Sequence, residues 1–344
     1  MKNSSKKYAL PGALLAVLIG LSPLTAAQQV KLRVADSLPA GHFMSEYATK
    51  FWMKEVSRLT NNEAEFEYYP AEQMGKAKDL LALTQSGVVD IGYVVPSYVS
   101  DKMPLTAAAE LPGEFFNSCA ATLAYWKLAR NDGILAKKEY AANGVRILFG
   151  VVMPPYQAFT GKQKIDSIKS LSGLKLRTAG GAMDATARRF HGVPVRMGTP
   201  ELYESLSRGT VDGMLLAYAS LISYDLVGLV KYGTVGENFG SAVITYVISE
   251  ARWKKLPSAI QKAMTEAGDA ATRRVCNMVD KDVESDIEKI RRQGVTLVHL
   301  PDTERKEISA AMDGVSVEWA QNLDKRGKPG TEVLKAYREA LKAK

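Results

Sequence analysis

The chain holds little of the material from which reactive centres are built. Its 344 residues include two cysteines and three histidines. Cys119 and Cys276 fit no metal-ligand spacing, and His42, His191 and His299 stand far apart in the sequence. A Gly-x-Ser-x-Gly elbow, a His-Glu-x-x-His pair, a phosphate-binding Gly-x-x-x-x-Gly-Lys-Ser/Thr loop and a dinucleotide Gly-x-Gly-x-x-Gly turn are all missing. No block of five like charges marks a nucleic-acid tail. Past the first 27 residues, no apolar run reaches the roughly 20 residues that a membrane span needs. These absences argue against an enzyme, a metal or cofactor site and a nucleic-acid partner.

What is present starts at the N-terminus. Lys2, Lys6 and Lys7 precede an apolar run from Ala9 to Leu24, which closes on Thr25-Ala26-Ala27. A basic head, a short apolar middle and small exit residues make an export signal, expected to span residues 1–27. Pro11 and Pro23 argue against a permanent anchor. The formal charge is +8, and losing the three signal lysines leaves +5, a mild attraction for anions. Export places Cys119 and Cys276 where a disulfide is permitted. Two buried thiols are the alternative, and the sequence leaves the choice open.

The mature length exceeds one ordinary core, which favours two lobes. An internal echo supports that. Val30 to Asp36 alternates like a strand and leads to a helix from about Met44 to Leu59, with Phe51, Trp52, Val56 and Leu59 on one face. A strand at Ala64 to Tyr69, a helix from about Lys76 to Gln85, and Ser86-Gly87-Val88-Val89-Asp90-Ile91-Gly92 follow. The order recurs later. Leu174 to Gly180 reads as a strand, Met183 to Phe190 as a helix, Val193 to Met197 as a strand and Pro200 to Ser207 as a helix, closing on Arg208-Gly209-Thr210-Val211-Asp212-Gly213. Leu32-Arg33-Val34-Ala35-Asp36 matches Leu176-Arg177-Thr178-Ala179-Gly180, and the two Gly-x-Val-Asp stretches match each other. Two βαβαβ units predict two α/β lobes with mainly parallel sheets. Ligands then sit beyond the strands' carboxyl ends, near helix N-termini. From Ser258 to Arg292 the pattern is purely helical and about 50 Å long, with Gly268 the one candidate break. A strand (Val295 to Leu300) and two amphipathic helices complete the chain.

Arg177 is the leading site candidate. It ends a strand just before Gly180-Gly181 and a helix N-terminus, where a guanidinium fork can grip a carboxylate and glycines let backbone approach a ligand. Tyr93, Tyr156, Gln157, His42, Phe43, Gln73, Leu216 and Tyr218 are the further ligand-binding candidates, with Glu72 beside Gln73. For Phe43, Tyr93 and Tyr156, core packing is an equal alternative.

Gly173-Leu174-Lys175-Leu176-Arg177-Thr178, with Thr199-Pro200-Glu201-Leu202-Tyr203-Glu204-Ser205-Leu206 and Gly209-Thr210-Val211-Asp212-Gly213, resembles the TRAP-transporter solute-binding family of the C4-dicarboxylate type. Gln85 to Gly92 and Trp253 to Pro257 extend the likeness over nearly the whole mature chain. The resemblance implies a periplasmic two-lobed receptor of the Venus-flytrap form, with a long helix shared by the lobes. It implies that Arg177 salt-bridges a ligand carboxylate, and that an integral-membrane permease receives the ligand from a monomeric receptor. The implied lobes are residues 28–152 with 242–282, and 153–241 with 283–344.

Two departures bear on the ligand. Gln157 stands where many relatives carry a second arginine, and Met214-Leu215-Leu216-Ala217-Tyr218 replaces a more polar stretch. Less charge and more apolar surface favour a monocarboxylate with an apolar or aromatic body over a dicarboxylate. Presentation of the acid to a membrane sensor is an alternative reading. A periplasmic hydrolase using Asp90 or Asp212 is a third, although both aspartates sit where a turn role is common.

Overall fold

The computed structural model describes Met1 and residues 29–343, so the expected export signal lies outside the described residues. Among these residues eleven strands form two sheets: β1 (Val30–Ala35), β2 (Ala64–Tyr69), β3 (Ile91–Val94), β4 (Val145–Val152), β5 (Gln157–Thr160), β6 (Lys175–Thr178), β7 (Val193–Arg196), β8 (Gly213–Leu216), β9 (Tyr232–Thr234), β10 (Val243–Ser249) and β11 (Thr296–Val298). Their orders are β2-β1-β3-β10-β4 and β11-β9-β5-β8-β6-β7. Among the described residues no helix is long and apolar enough to cross a membrane.

The two predicted units are there, with one topology. Strand β1 lies between β2 and β3, and β6 between β7 and β8, all parallel. The antiparallel pairs come from outside the units, where β10 joins β3 to β4 and β5 joins β8 to β9. The sheets are therefore mixed as wholes.

The pairing also revises the echo. Asp90 accepts the Arg33 amide at 2.9 Å, and its own amide donates to the Arg33 carbonyl at 3.1 Å. Asp212 repeats this with Lys175, at 2.8 Å in both directions. Arg33 is thus the counterpart of Lys175, and Ala35 that of Arg177. The Gly-x-Val-Asp echo is in register, whereas the Leu-Arg echo is displaced by one strand period, which preserves the face of each side chain. Both aspartates tie the amino end of one strand to its neighbour, away from the carboxyl ends. Asp90 also holds Arg33 and Arg252, each at 3.0 Å. These bonds give both carboxylates a structural task at the strands' amino ends.

Ser258–Arg292 is one unbroken helix of 35 residues. Gly268 does not interrupt it; a Cβ there would stand 2.0 Å from the Leu148 carbonyl oxygen, so glycine lets the helix lie directly on β4. The helix packs on Lys50–Leu59, Ser118–Ala129 and β4 of the first sheet, and on Tyr218–Ser223 of the second unit. Cys119 and Cys276 are joined as a disulfide, linking the long helix to Ser118–Ala129. The last helix, Gly330–Lys342, belongs by the implied boundaries with the second lobe. It packs both on Asp302–Asp324 and on Ser118–Ala129, with Val333 and Tyr337 buried beside Ala121, Ala124 and Tyr125.

Besides the stretch with the long helix, which leads from β10 to β11, two short chain segments cross between the sheets, residues 153–156 and 235–242, and they bind each other. The Met153 amide donates to the Ala242 carbonyl at 2.9 Å, and the Tyr156 amide to the Gly240 carbonyl at 2.8 Å. Glu110 braces the second crossing. Its carbonyl accepts the Ser241 amide at 3.0 Å, and its carboxyl accepts the Val243 amide at 2.9 Å and the Ser97 hydroxyl at 3.1 Å. Burial pushes the Glu110 carboxyl up to about 7.

Candidate functional site

Arg177 is among the largest fully buried side chains, with 1% of its surface exposed. It sits on β6, one residue short of the carboxyl end, between β7 and β8. Its Nε donates to the Met197 carbonyl at 3.1 Å, and its Nη2 to the Thr199 hydroxyl at 2.9 Å, with the Tyr98 hydroxyl at 3.5 Å. None of these partners is a carboxylate. Its Nη1 is buried with no hydrogen-bond partner among the described residues. A buried cation with an idle donor costs several kcal/mol unless an anion meets it.

Tyr98 makes the site bipartite. It follows β3 in the turn Pro96–Val99 of the first sheet, yet its hydroxyl accepts the Thr199 amide at 3.0 Å and bonds the Thr199 hydroxyl at 2.9 Å. The two lobes also touch at Gly180. A Cβ there would lie 2.7 Å from the Ser97 carbonyl oxygen, and its φ of +102° is left-handed. The glycine pair thus serves contact between the lobes as well as the turn before Ala182–Arg189.

Around the guanidinium stand tyrosines. Burial pushes the phenols of Tyr93, Tyr156 and Tyr224 up, and the Arg177 charge partly offsets this for Tyr156 and Tyr224. Tyr93 and Tyr156 are 2% and 4% exposed. Tyr224 lies edge-on to His42 at 5.3 Å, and His42 against Phe43 at 4.4 Å. His42 is buried, and burial lowers its pKa to about 3. Behind them, at the carboxyl end of β1, Asp36 accepts from the Tyr68 hydroxyl at 2.6 Å, the Tyr246 hydroxyl at 2.7 Å and the Leu38 amide at 3.1 Å. Burial raises the Asp36 pKa against these bonds.

The other candidates divide. Tyr93, Tyr156 and His42 belong to this aromatic setting, with Phe43 at its edge. Gln157 is buried with its amide in use: it donates to the Glu237 carbonyl at 2.6 Å and the Pro155 carbonyl at 3.4 Å. Its oxygen accepts from the Thr234 hydroxyl at 2.9 Å and the Glu237 amide at 3.3 Å. It fastens β5 to the second crossing, and no donor is left for a ligand. Leu216 is fully buried opposite Gln157. Tyr218 turns into the second lobe, donating to the Thr234 carbonyl at 2.8 Å with its ring edge-on to Phe159. Gln73 is exposed. Glu72 is bound to Lys76 and the Ala77 amide, and lines a groove of about 350 Å³ between the lobes with Tyr98, Ala179 and Met197. Sequence reasoning missed Tyr98, Thr199 and Tyr224 as site residues. Tyr98 had a readable signal, since it follows a predicted strand's carboxyl end; Tyr224 had none.

Among the described residues no group of His, Cys, Asp and Glu could hold a metal ion.

Comparison with known proteins agrees with this architecture. The chain is 24% identical over 333 residues to the outer membrane transporter protein TsaT of Comamonas testosteroni, covering 94% of this chain and 95% of that one. It superposes on a TRAP solute-binding protein from Rhodoferax ferrireducens with a TM-score of 0.83 at 22% identity, covering 91% of this chain and 98% of the other. A TRAP periplasmic solute-binding protein from Bordetella bronchiseptica gives the same TM-score of 0.83 and 22% identity over 91% and 99%. The model of the bacterial extracellular solute-binding protein family 7, DctP, matches residues 34–322. A two-lobed α/β clamp with a shared long helix, closed over a buried arginine and matched by that model along most of its length, belongs to this family of TRAP-transporter solute-binding proteins.

Proposed function

We propose that this receptor captures a small monocarboxylate with an apolar or aromatic body in the periplasm and delivers it to a membrane permease. The observation that carries the reading is the buried Arg177 Nη1, idle in the neighbourhood of Tyr156 and Tyr224. A carboxylate on that guanidinium compensates the buried charge, and rings or alkyl groups against the tyrosines bury apolar surface at about 25 cal/mol per Å². With Gln157 committed to the scaffold, Arg177 is the one cation proposed to serve the ligand, which favours one carboxylate over two. The Rhodoferax structure holds copurified benzoate and the Bordetella structure mandelate. A marine relative is described as specific for aromatic acid ligands. These are properties of those proteins, and they lend support to the same ligand class here.

Closure would follow from differential affinity, because Tyr98 and Thr199 come together with Arg177 only when both lobes meet. The receptor performs no chemistry of its own. The test is calorimetry across benzoate, mandelate, branched aliphatic acids and succinate. Tight binding of monocarboxylates, with succinate weaker, is expected. Tight succinate binding without binding of the monoacids overturns the reading.

A further inference from the structure

A second groove, of about 660 Å³, lies along the seam of the two lobes. Ser100 and Pro104 of the first lobe form one side, Gly181 and Ala185 of the second another, and the helix Asp302–Asp324 a third. Its apolar lining gathers Ala107 of the first lobe, Ala182 of the second and Val315 of that helix into one buried cluster, with Trp319 packed against it. Because its sides belong to different lobes, the groove has this shape only while the lobes meet.

The charge of the groove is one-sided. Arg188, Arg189, Arg196, Arg326 and His191 line it against a single carboxylate, Glu318. Arg189 is paired with Glu318 at 3.3 Å and Arg196 with Asp184 at 2.9 Å. Arg188 and Arg326 are exposed and have no carboxylate partner among the described residues. Exposed guanidiniums hold a lone small anion weakly. A peptide with several carboxylates engages them together, each later contact being intramolecular, and arginine and tryptophan are the side chains that anchor protein interfaces. The groove therefore fits an acidic peptide segment with an apolar side chain.

Resting on the delivery reading above, we propose that an acidic extramembrane segment of the permease docks in this groove, with carboxylates on Arg188 and Arg326 and an apolar side chain against Trp319. Such a segment is seated by the closed receptor and loses one side of its seat in the open one, so it binds the closed form in preference.

Uptake and binding measured side by side test this. The monocarboxylate that binds tightest in the calorimetric series above is radiolabelled, and its uptake is followed in the parent bacterium lacking this gene and complemented with each variant. Arg188→Glu combined with Arg326→Glu puts like charges against the segment and should lower uptake about tenfold or more, with the dissociation constant for the acid within about twofold of wild type. Arg188 is in the last turn of Ala182–Arg189, where reversal also opposes the helix dipole. Arg326 lies in the turn after Asp324 and escapes that cost, so Arg326→Glu alone should give an intermediate loss at the wild-type melting temperature. Arg188→Lys with Arg326→Lys keeps the charge and should keep uptake within about threefold. Wild-type uptake in the double reversal overturns the proposal, as does an equal loss in the lysine pair. A loss of affinity for the acid that matches the loss of uptake assigns the groove to lobe closure and overturns it too. So does sedimentation showing a wild-type dimer that the double reversal dissociates, which gives the groove to a second copy of the chain. A wild-type receptor that binds the acid yet supports no uptake removes the delivery reading beneath the proposal, whereas full uptake with both reversals removes the proposal alone.

Discussion

Replacing Gly180 by alanine should weaken ligand binding by way of the lobe contact, without touching the ligand. The added Cβ would stand 2.6 Å from Arg196 Nε and 2.7 Å from the Ser97 carbonyl oxygen. Arg196 is half-exposed and can swing away. Ser97 is backbone of the opposite lobe, so the remaining overlap is relieved only by parting the lobes. Overpacking of this kind costs about 1–3 kcal/mol, and it is charged to the closed form alone. At 1.4 kcal/mol per decade, affinity for benzoate should fall about ten- to hundredfold by calorimetry. Alanine at a φ of +102° is also strained, but equally in open and closed forms, so that part lowers the melting temperature and leaves the dissociation constant unmoved. Gly181→Ala separates the two effects. Its φ is +58°, yet its nearest neighbour across the lobes is Ser100 Cβ at 3.6 Å, an ordinary contact. It should lose stability and keep affinity. Wild-type affinity in Gly180→Ala, or equal losses in both variants, would refute the argument.

Other expectations follow from the same geometry. Arg177→Ala should cost about 3–5 kcal/mol of binding by leaving a carboxylate buried and unpaired; retained affinity by calorimetry would remove Arg177 from the site. Tyr98→Phe deletes the hydroxyl that meets Thr199 and should weaken binding up to about tenfold, with an unchanged melting temperature for the open, ligand-free protein. The Cys119–Cys276 bridge closes a loop of 157 residues, for which chain entropy allows about 4–5 kcal/mol; a melting temperature indifferent to reductant would contradict that. Stability should also depend on pH. Burial raises Glu110 and Glu139 to about 7, so their contribution is full below about pH 4.5 and is lost as pH rises through 7. His42, lowered to about 3, contributes fully above about pH 6.5 and loses ground as pH falls. Two carboxyls outweigh one imidazole between those limits, so the melting temperature should be higher near pH 5 than near pH 7.5. Glu139→Gln should flatten that slope, and a rise of melting temperature toward pH 7.5 would contradict the assignment.

Local physics made much of the fold legible. The strand Ala64–Tyr69 and the helix Ser258–Arg292 end where their patterns end, because alternation, proline and glycine act on neighbouring residues. The pairing of the strands is a long-range matter. It was there that the Leu-Arg echo misled, since a slip of two residues keeps every side chain on its face and costs the pattern nothing. Arg177 could be found because a strand's carboxyl end before a glycine pair is a locally readable position. Gln157 looked like a ligand group because it stands where many relatives of the resembled family carry a second arginine. Its bonds to Thr234 and Glu237 reach residues 77 to 80 positions away, which no local pattern discloses. Tyr224 and the docking of Gly330–Lys342 on the first lobe are tertiary facts of the same kind.

The disulfide and the buried glycine at position 268 together make the long helix a lever clamped at one end. Gly268 seats it on β4, and Cys276 is bonded to Ser118–Ala129. Asp280 and Asp282 tie it further, to the Ser118 and Cys119 amides and to the Tyr47 hydroxyl, so the 10 residues from Val283 to Arg292 project about 15 Å beyond the last tie and carry Ile287 and Ile290 in buried positions. The first lobe therefore cannot slide along the helix. Opening of the clamp has to be taken up as bending of the free arm or as rolling of the second lobe upon it. A small rotation at the crossing segments is thereby converted into a displacement of several ångströms at the far rim.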